Sequence, residues 1–357
     1  MRLEQQIKKL SFAVISWVIA MSVFIFFRYS HNSGYPIWAN SIMDLQILAL
    51  CIGLIFGCLH WLSNLIVDYS FIYRLPYIVS LFVKGIILLA AAITIGRFFQ
   101  YLELWGISNH NLTFWEMDAA NILYSDSFKL LLVYLVFVRI SLAFIEQMGL
   151  LVGPRELLNI AIGKYHRPLY EQRLFMFLDM SNSTTNAEKL GDYRFSCLIQ
   201  DCFKLLNEPV SNNGAEIYRY MGDGVFLHWK VERGIEEERC LHLYFEYNQI
   251  LKWHGSHFNK KYGFVPEFKA AVHCGQVVTA VVGVQKREIS FFSDVLNSLS
   301  RLQDKCGALN QKLLISSAVA LRLNKQQKDF NIEDLGQHKL RGKQHSMQIF
   351  GVTKIHQ

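Results

Sequence analysis

The chain predicts a four-span membrane unit followed by an α+β domain. Three observations carry this reading. Hydrophobic residues make up 52% of 357 positions, the excess sits in four long apolar runs of the first half, and the second half alternates short apolar strands with helical spacing and tight turns. The net charge of +7 is modest and scattered, so no basic stripe for nucleic acid is expected.

The runs are Leu10–Phe27, Leu45–Ile66, Leu75–Ile95 and Phe128–Ile145, each near the roughly 17–25 residues a helix needs to cross a hydrocarbon core. After the first, the chain continues FFRYSHNSGY without a small-residue cleavage pattern, which predicts a retained anchor rather than a removed leader. Arg2, Lys8 and Lys9 precede that run, and Arg155, Lys164, Arg167 and Arg173 follow the fourth. The loop Gly96–Ser127 carries Arg97 against Glu103, Glu116, Asp118 and Asp126. Basic residues on the cytoplasmic side then place both termini in the cytoplasm, with lipid bilayer around the helices. Trp105 and Trp115 suit either rings at an interface or ordinary packing. His60, Lys84 and Arg139, in or near the runs, are expected to pair within the bundle.

Residues 1–147 read as the transmembrane domain, 148–172 as a coupling helix and linker, and 173–357 as the following domain. The linker is punctuated by Gly153-Pro154 and ended by His166-Arg167-Pro168. The seven cysteines include no CxxC pair, and Cys197, Cys202, Cys240, Cys274 and Cys306, all in the second half, read as reduced core residues. WHGSH puts His254 and His257 on one helical face, but with no third ligand no metal site is expected there.

In the last domain RLFMFLDM fits a buried strand and AEKLGDYRFSCLIQDCFKLLN a helix. AEIYRYMGDGVFLHW alternates, breaks at Gly222-Asp223-Gly224 and resumes, which is a hairpin. Val231–Lys261 reads as helical, EFKAAVHCGQVVTAVVG as a second hairpin, and REISFF as a strand entering a helix near Asp294. KLLIS, FNIEDLGQHKL and QIFGVT complete a largely antiparallel sheet with helices packed on it.

The chemistry gathers around two acids. Asp179 ends the first strand, and the following MSNSTTNAE offers free backbone amides, including those of Ser183 and Thr184, at a helix start. Such a turn suits phosphate. Thr185 and Glu188 have capping-box spacing. Asp223 lies in the neighbouring hairpin. Each Asp alone reads as turn chemistry; the pair beside an anion site reads as a holder of divalent metal.

FLDMSNST, RYMGDGVF and SDVLNSLSRL resemble, in order, the three signature segments of the class III nucleotidyl cyclases, and the resemblance runs from Arg173 to Val352. It implies a ferredoxin-like cyclase sandwich in which Asp179 and Asp223 bind two ions, Mg²⁺ or Mn²⁺, and a ribose 3′-hydroxyl attacks the α-phosphorus to release pyrophosphate. Asn297 and Arg301, four residues apart on one helical face, match the family's residues that orient the ribose and stabilise charge on the reacting phosphate. LRGK resembles the loop that places a cation on the terminal phosphates, with Arg341 aligned and Lys343 in reserve. By the same resemblance the site lies between two chains of a homodimer.

Arg219 stands where adenylyl cyclases usually have lysine and Ser290 where they have Asp or Thr; neither matches the Glu and Cys of guanylyl cyclases. ATP is the expected substrate, with GTP the alternative. Ser293 for the usual glycine, and Leu299-Ser300 for the usual small pair, are departures expected to slow turnover. A non-catalytic membrane receptor with a cyclase-like dimerisation or nucleotide-sensing domain stays open. A diguanylate cyclase fits less well, because YMGDGVF lacks paired glycines followed by two acids.

Overall fold

The computed structural model describes residues 3–30, 42–69, 77–104, 126–323, 329–343 and 345–355. It divides into two units, Met1–Leu151 and Val152–Gln357.

The first unit holds α1 (Leu3–Ser30), α2 (Ile42–Tyr69), α3 (Tyr77–Leu104) and α4 (Asp126–Val152). Each contains 19 to 25 consecutive residues long and apolar enough to cross a membrane. The helices outrun the apolar runs because polar end residues still complete backbone hydrogen bonds. As a result α3 takes in the first part of the loop expected from Gly96. Arg2, Leu75, Trp105, Trp115, Glu116 and Asp118 lie outside the described residues.

A Cβ on Gly53 or Gly57 would come within 2.5 Å of the Val18 or Val14 Cα, so α1 and α2 meet backbone to backbone as small-residue pairs allow. Trp17, Met21, Phe56, Leu88 and Leu135 fill the bundle, while Phe27, Phe82 and Phe137 face outward. The polar residues pair. His60, 1% exposed, accepts from Trp17 Nε1 at 3.1 Å and lies 2.9 Å from Glu146 Oε1. Asn64 donates to the same carboxylate at 3.2 Å, and Arg139 Nη1 is 3.7 Å from its other oxygen.

The second unit opens with α5 (Pro154–Ala161), set off by Gly153 at φ 96°. The segment after it is docked rather than slack. Tyr165, 1% exposed, accepts from Val281 N at 3.2 Å through its carbonyl. Its hydroxyl donates to Glu171 at 3.3 Å and accepts from Arg173 Nη2 at 3.2 Å.

Next come β1 (Leu169–Met180), α6 (Ser183–Leu190), α7 (Asp192–Asn212), β2 (Glu216–Met221) and β3 (Gly224–Lys230). They are followed by α8 (Val231–Ile235), α9 (Arg239–Trp253), α10 (Gly255–Tyr262), β4 (Phe268–Val282) and β5 (Glu288–Phe292). The chain closes with α11 (Asp294–Ala308), β6 (Leu313–Ser316), α12 (Ser317–Ala320), β7 (Phe330–Lys339) and β8 (Ser346–Lys354). The sheet order is β2-β3-β1-β4-β6-β8-β7, with β5 on β4. Only β4 with β6 is parallel among these pairs. Period-two alternation divides the core: Leu174, Met176 and Leu178 pack with α7 and α9, whereas Phe175 and Phe177 face α11.

Three expectations are corrected. The segment read as a second hairpin is one 15-residue strand, β4, paired along the whole of β1. Its Gly275 makes no turn; a Cβ there would sit 2.7 Å from Val295 Cγ2, so the glycine gives α11 room. The helix read through Ala187–Asn207 is two helices, broken at Gly191 with φ 72°. The Thr185–Glu188 capping box does not form, because α6 already starts at Ser183 behind a left-handed Asn182 (φ 56°), leaving Thr185 inside the helix.

Candidate active site

Alternation along β1 puts Asp179 on the same side as Phe175 and Phe177, toward α11. Its register partner on β3 is Gly224, so the hairpin tip carrying Asp223 arrives beside it. The glycine is needed: a Cβ would lie 2.7 Å from Phe177 Cε2 and 3.1 Å from Asp179 Oδ1. Burial, then the charge and hydrogen bonding of Asp223, push the Asp179 carboxyl up to about 6 from an ordinary 3.8. Gln303 Nε2 of α11 opposes this by donating to Asp179 Oδ2 at 3.1 Å. Two carboxylates held together at the cost of raising one of them form a donor set that a divalent cation relieves.

A cavity of about 380 Å³ opens beside Asp179. Ser183, Thr184, Lys269, Gln303 and Asp304 are among the residues lining it. Lys269 pairs directly opposite Asp179 across β1 and β4, which puts a half-buried ammonium in the same cavity as the amide turn. Sequence reasoning missed Lys269 and Gln303. The signal for Lys269 exists only once β4 is read as a continuous strand in register with β1.

The raised carboxyl predicts a stability effect. A folded-state pKa above the unfolded one favours the protonated form, so this stabilisation is present below pH 3.8 and lost as pH rises through about 6. Asp179→Asn cannot ionise and still accepts from Gln303. Without divalent metal at pH 7.5 it should gain about 1 kcal/mol after discounting for partial exposure, or about 2–4 °C in Tm. Thermal unfolding of the metal-free proteins measures this; an unchanged or lower Tm counts against the described electrostatics.

A second group of residues gathers on the other side of α11. The Arg301 guanidinium packs over Gly342, 3.4–3.5 Å from where a Cβ would stand, in the turn that also carries Arg341 and Lys343. Lys343 is ion-paired to Asp294 at the start of α11, whereas Arg341 is exposed. Asn297 is exposed one turn before Arg301. Arg219 on β2 donates to Glu288 on β5 at 2.6 Å, and Ser290 lies two residues beyond Glu288 on the same strand. The departures have structural roles: Ser293 caps α11 by accepting from Val295 N at 3.0 Å, and Leu299 is buried in the core beneath it.

The two groups lie on opposite sides of one helix. Gln303, two residues or about 200° around α11 from Arg301, is the residue that touches Asp179. The structure thus brings together Asp179, Asp223, Ser183 and Thr184, and separately gathers Arg219 with the strand of Ser290, and Arg301 with Arg341 and Lys343.

Elsewhere among the described residues, Glu156, Glu216 and His228 are close enough to share an ion. Arg173 Nη1 faces His228 Nδ1 at 3.3 Å, and an arginine only donates, so Nδ1 accepts and the neutral ring keeps its hydrogen on Nε2 toward Glu216. Nε2 stands 3.8 Å from Glu216 Oε2, an electrostatic contact longer than a hydrogen bond. His254 contacts the Ile250 carbonyl and His257 lies 4.0 Å from Asp201, so they do not converge.

The model of the adenylate and guanylate cyclase catalytic domain matches residues 167–353. A curated protein, adenylate cyclase 2 of Rhizobium meliloti (strain 1021), is 31% identical over 222 residues, covering 62% of this chain and 61% of that protein. The chain therefore spans less than two thirds of that relative. The solved structure of a bacterial light-regulated adenylyl cyclase superposes with a TM-score of 0.50 at 19% identity, covering 65% of this chain and 67% of the other. That likeness is one of fold. The adenylyl cyclase CyaB from P. aeruginosa gives a TM-score of 0.46 at 14% identity, over 53% of this chain and 97% of that one.

Proposed function

Because the chain belongs to the family of adenylate and guanylate cyclase catalytic domains, we propose that it is a membrane-anchored adenylyl cyclase, converting ATP to 3′,5′-cyclic AMP and pyrophosphate. The observation that carries this is the meeting of Asp179 and Asp223 beside an amide-lined cavity. Their carboxylates would hold two divalent ions, Mg²⁺ or Mn²⁺. Those ions, when bound, supply the charge that makes the ribose 3′-hydroxyl acidic and steadies the triphosphate.

The chain's own groups do the rest. Amides of the Ser183–Thr184 turn and the Lys269 ammonium receive phosphate oxygens. Asn297 orients the ribose, and Arg301 meets the charge that builds on the α-phosphate during in-line attack. Arg341 serves the terminal phosphates, since Lys343 is engaged by Asp294. Arg219 and Ser290 face the base. The opposed faces of α11 support a homodimer, in which one chain's carboxylates work with its partner's asparagine and arginine at two equivalent sites.

The four apolar helices anchor the chain in the bilayer, with the catalytic unit on the cytoplasmic side by the charge of Lys8, Lys9 and Lys164. Purified protein given ATP or GTP with either metal is expected to release cyclic AMP and pyrophosphate from ATP. Nucleotide binding without any cyclic product would instead support a non-catalytic sensing module, and cyclic GMP as the main product would reassign the base.

A further inference from the structure

We propose that Glu288 determines base specificity together with Arg219: it is a guanine-matching carboxylate that the arginine masks. This rests on the cyclase reading of the site. Arg219 Nη2 donates to Glu288 Oε1 at 2.6 Å. Their strands, β2 and β5, are not ladder neighbours, so no backbone pairing enforces the contact. The adjacent rings of Tyr218 and Phe291, 4.9 Å apart, hold the strands together there. Side chains two apart on a strand project to one side, so Glu288 shares its side of β5 with Ser290. Arg219 and Glu288 are 44% and 41% exposed, open to a ligand. At that exposure an ion pair adds little to folding.

The chemistry gives the pair a direction. Adenine presents an acceptor at N1 and a donor at its 6-amino group; guanine presents donors at N1 and its 2-amino group and an acceptor at O6. A guanidinium only donates, whereas a carboxylate only accepts and can take guanine's N1–H and 2-amino hydrogens on both oxygens. With Arg219 in place, Glu288 is neutralised and a donor faces adenine N1. Without it, the bare carboxylate selects guanine. An arginine in the lysine position is thus paired with a group whose preference it suppresses, a case of selectivity achieved by excluding the wrong partner. Ser290, which both donates and accepts, tolerates either base.

The test uses the full chain as wild type, Arg219→Ala, Glu288→Ala and the double variant. The kcat/KM values for ATP and GTP are measured alongside the Kd values of non-cyclisable ATP and GTP analogues. Arg219→Ala should move the ATP-to-GTP ratio toward GTP by about tenfold or more, and the double variant should lose that shift. Glu288→Ala alone should keep the preference for ATP. Arg219→Ala/Glu288→Gln, which keeps the side-chain shape without the carboxylate, should match the double alanine variant. Equal ratios in Arg219→Ala and the double variant would overturn the role of Glu288, as would a shift to GTP in Glu288→Ala alone. If wild type cyclises neither nucleotide, the cyclase reading fails by itself, and the ratios of analogue Kd values still decide the role of Glu288.

Discussion

Asp223→Ala is expected to lower cyclic AMP formation by roughly 10³-fold or more, since a charge-stabilising centre loses a ligand where the reacting charge is greatest. The residue sits at a hairpin tip, where removing it breaks no ladder pair and empties no core. Its carboxylate also helps push Asp179 upward, so the variant should fold at least as well as wild type without metal. Turnover in the presence of Mn²⁺, read beside thermal unfolding, separates chemistry from stability. Retained activity in a folded Asp223→Ala protein would remove this residue from the metal site.

Arg301→Ala should lower kcat by about 10²–10³-fold with little change in KM, because the contact proposed for it strengthens as charge develops in the transition state. An effect confined to KM would make it a ground-state binding residue instead. Loss of packing over Gly342 is the competing cause, and Arg301→Lys addresses it by keeping the charge and most of the stem. Mixing supplies a sharper result. Asp223→Ala and Arg301→Ala chains should each be nearly inactive, yet in the proposed dimer a mixed pair holds one site with both intact residues and one with neither. Equal mixing should restore about a quarter of wild-type activity if chains exchange freely. No recovery from freely exchanging chains would place both residues in the site of a single chain.

The four long helices of the first unit were legible because each holds a stretch of 19 to 25 residues long and apolar enough to cross a membrane. Asp179 and Asp223 were legible because strand, turn and hairpin signals are local and lie within a few residues of each acid. What escaped the sequence is what depends on register and on packing between distant elements. Lys269 enters the cavity because the register of β4 on β1 sets it opposite Asp179, and Gly275 in the same strand resembles a turn until Val295 is seen to need its space. Gln303 reads as one more polar residue on an amphipathic helix, and its contact with Asp179 is set by how α11 lies on the sheet. Glu288 meets Arg219 across 69 residues of chain, a distance no periodicity spans. The break at Gly191 left a sequence trace, but a glycine inside a helical pattern is ambiguous until its positive φ is known.

The docking of Tyr165 has a mechanical consequence. From that tyrosine the chain passes within four residues into a strand of 12 residues whose far end bears Asp179. β4 pairs with this strand along its whole length and β3 from Arg173 to Asp179, so the docked tyrosine and the acid are joined by one hydrogen-bonded element.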